Sequence, residues 1–246
     1  MDIINTINLI PQHIQKSQEW LNQRKGYLTS SDAATALGIN PYEKPVNLLF
    51  KKCGEGKPFT GNIATRWGEK YEDEAIDMYC KAMGYKNYEF GLIPLDAVYT
   101  NGKTPDFPDS EFLAGSPDGI SIPDNDPTRA VLIEVKCPYK RKIKMGYCPE
   151  YYYPQVQLNM YICNLQEADF IEYKPDTRGG DDYILNIVHM KRNDEWLRDS
   201  IPKLKSFWDS VLHHRIVGIQ THPNYEKLRY KEPPPPVKMG CLIEED

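Results

Sequence analysis

The sequence predicts an α/β protein in which a mixed central β-sheet is flanked by helices. Three observations lead there. Helix-spaced apolar residues dominate the first third of the chain, strand-like apolar runs follow between positions 88 and 137, and a helix, two strands and a last helix complete the order. The 246 residues, 40% hydrophobic and 11% aromatic, supply a proper core and exclude a disordered chain. No apolar run approaches the roughly 20 residues of a bilayer span. The N-terminus carries Asp2 and no basic region, so the expectation is an intracellular protein that is not secreted. A net charge of -5 excludes a general polyanion coater; any polyanion must meet a local basic patch.

Each element has its own signal. Residues 17–24 read as a helix, and Thr29, Ser30 and Ser31 precede an alanine-rich run that stops at Gly38, a capped short helix. Pro45 stands where a helix tolerates proline, at its first turn. A long helix is expected over 62–83, with Trp67, Tyr71, Met78 and Ala82 as its apolar stripe and Gly84 as its stop. Strands are expected at 88–93, 112–115, 120–122 and 130–137, a helix at 154–163, strands at 167–173 and 183–190, and an amphipathic helix ending near His214. One domain is expected over 1–220. A polar, Pro-rich tail takes 221–246, where Pro233 to Pro236 favour an extended, solvated segment. The six cysteines form no C-x-x-C pair, which predicts free thiols rather than a zinc or iron–sulfur site. The histidines stand at no ligand spacing and read as surface or half-buried side chains.

The chemistry concentrates in Ser116-Pro-Asp-Gly119 and, some fifteen residues on, Glu134-Val-Lys136. The run Pro123-Asp-Asn-Asp-Pro-Thr-Arg129 between them is turn chemistry, so its flanks should pair as a hairpin centred on Asp126. That register sets Asp118 opposite Glu134, Ile120 opposite Leu132 and Ile122 opposite Ala130. Strand period puts Glu134 and Lys136 on one face and Val135 and Cys137 on the other. Two carboxylates and an ammonium thus converge at one end of an apolar hairpin. Charges in such company need compensation, and a divalent cation would supply it. Carboxylate oxygens, with a backbone carbonyl from Val135, suit Mg²⁺ or Mn²⁺ rather than zinc. Spacing alone leaves a second reading open: a Glu134–Lys136 salt bridge on an edge strand, with Asp118 a turn residue.

Trp67-Gly-Glu-Lys-Tyr-Glu-Asp-Glu-Ala75, Ser116-Pro-Asp-Gly119, Glu134-Val-Lys-Cys-Pro138 and Gln155-Val-Gln157 occur in an order and spacing that resemble one family, and Arg24-Lys-Gly-Tyr-Leu-Thr-Ser-Ser31-Asp fits its opening motif. The family is that of the lambda-type phage exonucleases, the YqaJ-like viral recombinases, built on the PD-(D/E)XK nuclease core. The resemblance covers about 20–192; the tail after His214 has no counterpart in it. It implies Asp118 and Glu134 as metal ligands, Lys136 as the catalytic lysine, and Glu72 as a further active-site acid near a second ion. Glu69, Asp73 and Glu74 read instead as a solvated helix face. Gln157 resembles a helix residue that reaches the active site, while Gln155, two positions back, should point elsewhere. Arg24, Ser31 and Ser116 match positions that hold a 5′-terminal phosphate, which suits a guanidinium fork and serines at a helix start. Without the resemblance, Ser31 reads as a cap and Arg24 as a surface charge.

Lys140, Arg141, Lys142 and Lys144 follow the Glu-x-Lys strand with no acid among them, and would form a rail for a DNA backbone or a solvated loop. Tyr147 and Tyr151, Tyr152 and Tyr153 could stack on bases or pack the next helix. The function implied is a Mg²⁺-dependent deoxyribonuclease, with Mn²⁺ substituting and two ions expected. It would be a 5′→3′ double-strand exonuclease of viral or phage DNA recombination that acts on 5′-phosphorylated ends. Partners implied are double-stranded DNA ends, a single-strand annealing protein and further copies of the chain in a homotrimer. Two rivals stand beside it: a resolvase-type or restriction-like endonuclease on the same core, and a non-catalytic DNA-binding module.

Overall fold

The computed structural model describes residues 3–56, 61–99, 105–176 and 182–229. The elements run α1 (Ile3–Asn8), α2 (Gln18–Arg24), β1 (Leu28–Thr29), a 3-10 turn Ser30–Asp32, α3 (Ala33–Ala36), α4 (Pro45–Lys52), α5 (Ile63–Met83), β2 (Tyr85–Tyr88), β3 (Ile93–Pro94) and α6 (Leu95–Val98). They continue with β4 (Leu113–Gly115), β5 (Gly119–Pro123), β6 (Val131–Lys136), a 3-10 turn Glu150–Tyr152, α7 (Tyr153–Ile162), β7 (Glu167–Pro175), β8 (Tyr183–Lys191), α8 (Asp194–Val217), a 3-10 turn Ile219–Thr221 and α9 (Tyr225–Leu228). Five strands form the main sheet in the order β2-β5-β6-β7-β8, and β1-β4-β3 form a small second sheet. Only the β6–β7 pair in the main sheet is parallel, joined by a crossover that contains α7. The expected α/β class with a mixed sheet is therefore the observed one.

The β5–β6 hairpin has the register that the turn chemistry predicts, with Gly119 opposite Ile133, Ile120 opposite Leu132 and Ser121 opposite Val131. Both faces of β6 are covered, as its apolar run requires. On one face Ile133 and Val135 pack with Ala75, Ile76 and Tyr79 of α5. On the other, Leu132 joins the larger core with Val156, Met160 and Phe170. Helix α7 is buried at every residue from Val156 to Ile162.

Local signals explain the helix ends. Ser17 caps α2 by accepting from Trp20 N at 3.2 Å, and Asn62 caps α5 by accepting from Thr65 N at 2.9 Å. Gly84 closes α5 in the left-handed region at φ 68. The α5 stripe differs from expectation at its end, because Ala82 is exposed and Ala75, Ile76 and Tyr79 carry the burial instead. The expected strand at 88–93 divides between the two sheets. Gly91 sits between the halves where a Cβ would collide with the His13 carbonyl, and Gln12 Oε1 accepts from Gly91 N at 2.6 Å. Docking of the N-terminal segment breaks the run.

The boundary expected at 220 falls inside folded chain. Ile219 is buried, and Phe50 meets His222 edge-on at 5.3 Å and stacks on Tyr225 at 6.2 Å. The Pro233 to Pro236 run and Cys241 lie outside the described residues. Cys53, Cys80, Cys137, Cys148 and Cys163 are free thiols, and His213 is exposed while His214 is half-buried. Among the described residues no helix is long and apolar enough to cross a membrane.

Candidate active site

The site lies where the β5–β6 hairpin ends, between α5 and α7. Glu134 is fully buried on β6 and faces α7. Its Oε1 accepts from Lys136 Nζ and, at 2.5 Å, from Gln155 Nε2. Its Oε2 accepts from Asn159 Nδ2 at 3.1 Å. Burial pushes the Glu134 carboxyl up, and Asp118 adds to that, while Lys136 opposes it. Burial works against the Lys136 charge too, but Glu134 and then Asp118 outweigh it and hold the ammonium above its ordinary range. These two tendencies pull the pair in opposite senses. Three N–H donors converging on one carboxylate favour its ionised form, so the charged pair is the state that the geometry supports.

Asp118 precedes β5, and its Oδ2 accepts from Val135 N at 2.6 Å, which pins the acid across the hairpin from Glu134. The glycine after it is needed because a Cβ on Gly119 would collide with the Asn87 amide, whose Oδ1 accepts from Ser121 Oγ at 3.0 Å. Glu72 reaches the same region from α5. Burial raises its carboxyl, and the Asp118 charge raises it further. One cleft wall beside it carries Lys16, Gly68, Glu69, Lys136, Tyr139 and Tyr152.

Among the described residues no three acids are already closed into a metal cage. The Glu134 carboxylate is turned into its three hydrogen bonds instead. The donor set nevertheless fits a hard divalent cation. Glu72 and Glu134 each feel the Asp118 charge as a like charge, and a cation among them would relieve that repulsion.

Helix α7 corrects one expectation. Gln157 does not reach the acids: its Nε2 donates to Lys191 O at 3.0 Å and its Oε1 accepts from Asn193 N at 2.7 Å, tying α7 to the β8–α8 junction. Gln155 is the glutamine that meets Glu134. Positions 155 and 157 stand about 200° apart on a helix, so one faces β6 and the other cannot. Asn159, one turn after Gln155, shares its face and was missed; the i, i+4 spacing from Gln155 was its only signal. Gly115 makes room for it, since a Cβ there would collide with Asn159 Oδ1.

Arg24, Ser31 and Ser116, distant in sequence, are brought together. Arg24 Nη2 donates to Ser31 Oγ and to Thr29 Oγ1, both at 3.0 Å. Its guanidinium lies 4.4 Å from the centre of the Trp20 ring, and Trp20 Nε1 donates to Ser116 Oγ at 3.2 Å. The indole therefore joins the two halves of the cluster. Asp32 buttresses it by accepting from Thr29 Oγ1 at 2.7 Å and pairing with Lys52 Nζ at 2.6 Å.

In the basic loop Lys140, Lys142 and Lys144 are exposed. Arg141 is not free for a backbone, because it is paired with Glu172, a fully buried carboxylate on β7. Of the tyrosines, Tyr152 packs on Phe170 at 5.4 Å and Tyr153 on Trp196 at 5.5 Å, while Tyr147 stays exposed.

An antiparallel hairpin bearing Asp and Glu-x-Lys, followed by a helical crossover to a parallel strand, is the PD-(D/E)XK core. Within that class the assignment is specific: residues 19–166 match the YqaJ-like viral recombinase domain, and the chain belongs to that family. An uncharacterized protein of Acanthamoeba polyphaga mimivirus is 33% identical over an alignment of 184 residues that covers 70% of this chain and 31% of that protein. A protein of African swine fever virus is 27% identical over an alignment of 171 residues that covers 60% of this chain and 46% of that protein. The chain thus spans less than half the length of either relative. The solved structure of an alkaline exonuclease from Laribacter hongkongensis superposes with a TM-score of 0.62 at 23% identity, over 82% of this chain and 95% of that one. Its complex with dAMP gives 0.63 at 24% identity over the same shares. That likeness establishes the fold.

Proposed function

We propose that the chain is a Mg²⁺-dependent deoxyribonuclease that degrades double-stranded DNA 5′→3′ from 5′-phosphorylated ends, in viral DNA recombination. The observation that carries this reading is one of placement. A cluster of phosphate donors, Arg24, Ser31 and Ser116, adjoins a convergent acid set through Ser116, two residues from Asp118.

Asp118, Glu134, Glu72 and the Val135 carbonyl would hold Mg²⁺ or Mn²⁺, with two ions expected. Such a cation supplies an acidified water and a polarised phosphoryl oxygen. The chain's own groups do the rest. Arg24, Ser31 and Ser116 bind the terminal phosphate and fix which bond is presented. Lys136 stabilises developing negative charge and orients the attacking water. Gln155 and Asn159 hold the Glu134 carboxylate in place while Lys136 shifts toward the substrate. Lys140, Lys142 and Lys144 meet the DNA backbone.

The family resemblance adds a single-strand annealing protein as partner, a homotrimeric ring as assembly and an intracellular setting. Digestion of end-labelled linear duplex beside a covalently closed circle, with and without Mg²⁺, tests the reading. Linear DNA should disappear and the circle persist. Nicked circles would make it an endonuclease, and binding without digestion a DNA-binding module.

A further inference from the structure

The basic loop 137–149 carries its charges outward, yet it is anchored by a charge that points inward. Glu172 is completely buried, and its Oε1 accepts from Arg141 Nη2. Its cross-strand partner on β8 is Asn186, itself 1% exposed. Asn186 Nδ2 donates to Glu172 Oε2 at 3.1 Å and to Tyr147 O at 3.2 Å, and its Oδ1 accepts from Gly146 N at 2.8 Å. One glutamate and one asparagine thus tie the loop to the sheet at Arg141, Gly146 and Tyr147. Lys140, Lys142 and Lys144 lie between or beside those ties. Two of these lysines also lie over rings of the same loop, Lys140 Nζ at 5.9 Å from Tyr139 and Lys144 Nζ at 4.9 Å from Tyr147.

A buried ion pair is a poor way to gain stability, because desolvation offsets most of its attraction and apolar replacements often do as well. What it adds is a fixed geometry. The parallel β6–β7 register sets Glu172 beside Lys136, so the loop leaves the strand next to its own anchor. We propose that Glu172, with Asn186, is a positioning residue that holds Lys140, Lys142 and Lys144 in register for the DNA backbone, with Arg141 serving as its tether rather than as a phosphate ligand. This rests on the deoxyribonuclease reading above. Glu172 touches no DNA, and its effect on binding passes through the lysines.

The test is duplex binding without Mg²⁺ between 50 and 200 mM salt, alongside steady-state digestion. Neutralising Lys140, Lys142 and Lys144 together sets the full effect of the rail. Glu172→Gln should weaken binding about tenfold and remove at least half of the salt slope lost in the lysine variant. KM should rise while kcat stays within about twofold, a split that general loss of fold would not give. Arg141→Met should match it, and the double variant should be no worse than either, since the pair acts as one unit. Asn186→Ala repeats the test without touching the charge pair, should Glu172→Gln not fold. Wild-type affinity and slope in folded Glu172→Gln or Asn186→Ala would overturn the proposal. So would a slope loss confined to Arg141→Met, which would make that guanidinium a direct contact. An unchanged lysine variant would overturn the rail itself, and a rail effect with intact Glu172→Gln binding would overturn only the anchor.

Discussion

Glu134 is a carboxylate in an apolar sheet that remains tenable because three donors meet it. Removing one has a calculable effect, since a hydrogen bond to a charged group is worth about 1.5–3 kcal/mol, or about tenfold to a hundredfold in rate if it acts on the reacting state. Gln155→Ala should therefore slow single-turnover cleavage by at least about tenfold, whereas Gln157→Ala should lower the melting temperature and leave the rate nearly intact. Lys136→Ala should lower the rate by about 10²–10⁴ with DNA binding kept. Single-turnover kinetics on folded variants checks all three. Asp32 offers a pH test of the phosphate cluster's support. Burial would raise its carboxyl, but Lys52 and then Arg24 outweigh it and hold the group below its ordinary 3.8. The folded state then binds fewer protons than the unfolded one, so this stability is complete above pH 3.8 and fades as pH falls through the lowered value. Asp32→Asn should be less stable than the wild type at neutral pH. That gap should narrow as pH falls below 3.8 in denaturant titrations; a gap independent of pH would remove the ion pair from the account.

The hairpin was legible in the sequence because its turn chemistry and strand period fix register without help from the rest of the chain. The α7 face was not, because the helix is buried at every residue from Val156 to Ile162 and so carries no polar-against-apolar stripe to fix its phase, and an error of two positions exchanges Gln155 for Gln157. Arg141 looked like its basic neighbours because its partner Glu172 lies 31 residues away on another strand. The break in the run 88–93 likewise depends on the distant Gln12. Local chemistry was readable; pairings between residues far apart in the sequence were not. For the basic loop as an element, neutralising Lys140, Lys142 and Lys144 should weaken binding about equally across DNA sequences. It should flatten the log–log salt dependence by nearly one unit per lost phosphate contact. An unaltered slope would return the loop to plain solvation.

Across the whole molecule, the small sheet and the main sheet bring two chemistries together. Arg24 and Ser31 stand around β1, while Ser116 and Asp118 lie between β4 of the small sheet and β5 of the main one. A phosphate held by the first group would set the distance from a duplex end to the acids, which is what separates an exonuclease from an endonuclease on the same core. The measurement that tests this most directly compares degradation rates of one duplex carrying 5′-phosphate or 5′-hydroxyl ends, in the wild type and in Arg24→Ala. The account predicts a preference of about tenfold or more for the phosphorylated end, and its loss in Arg24→Ala. Equal rates on both ends in the wild type would contradict it.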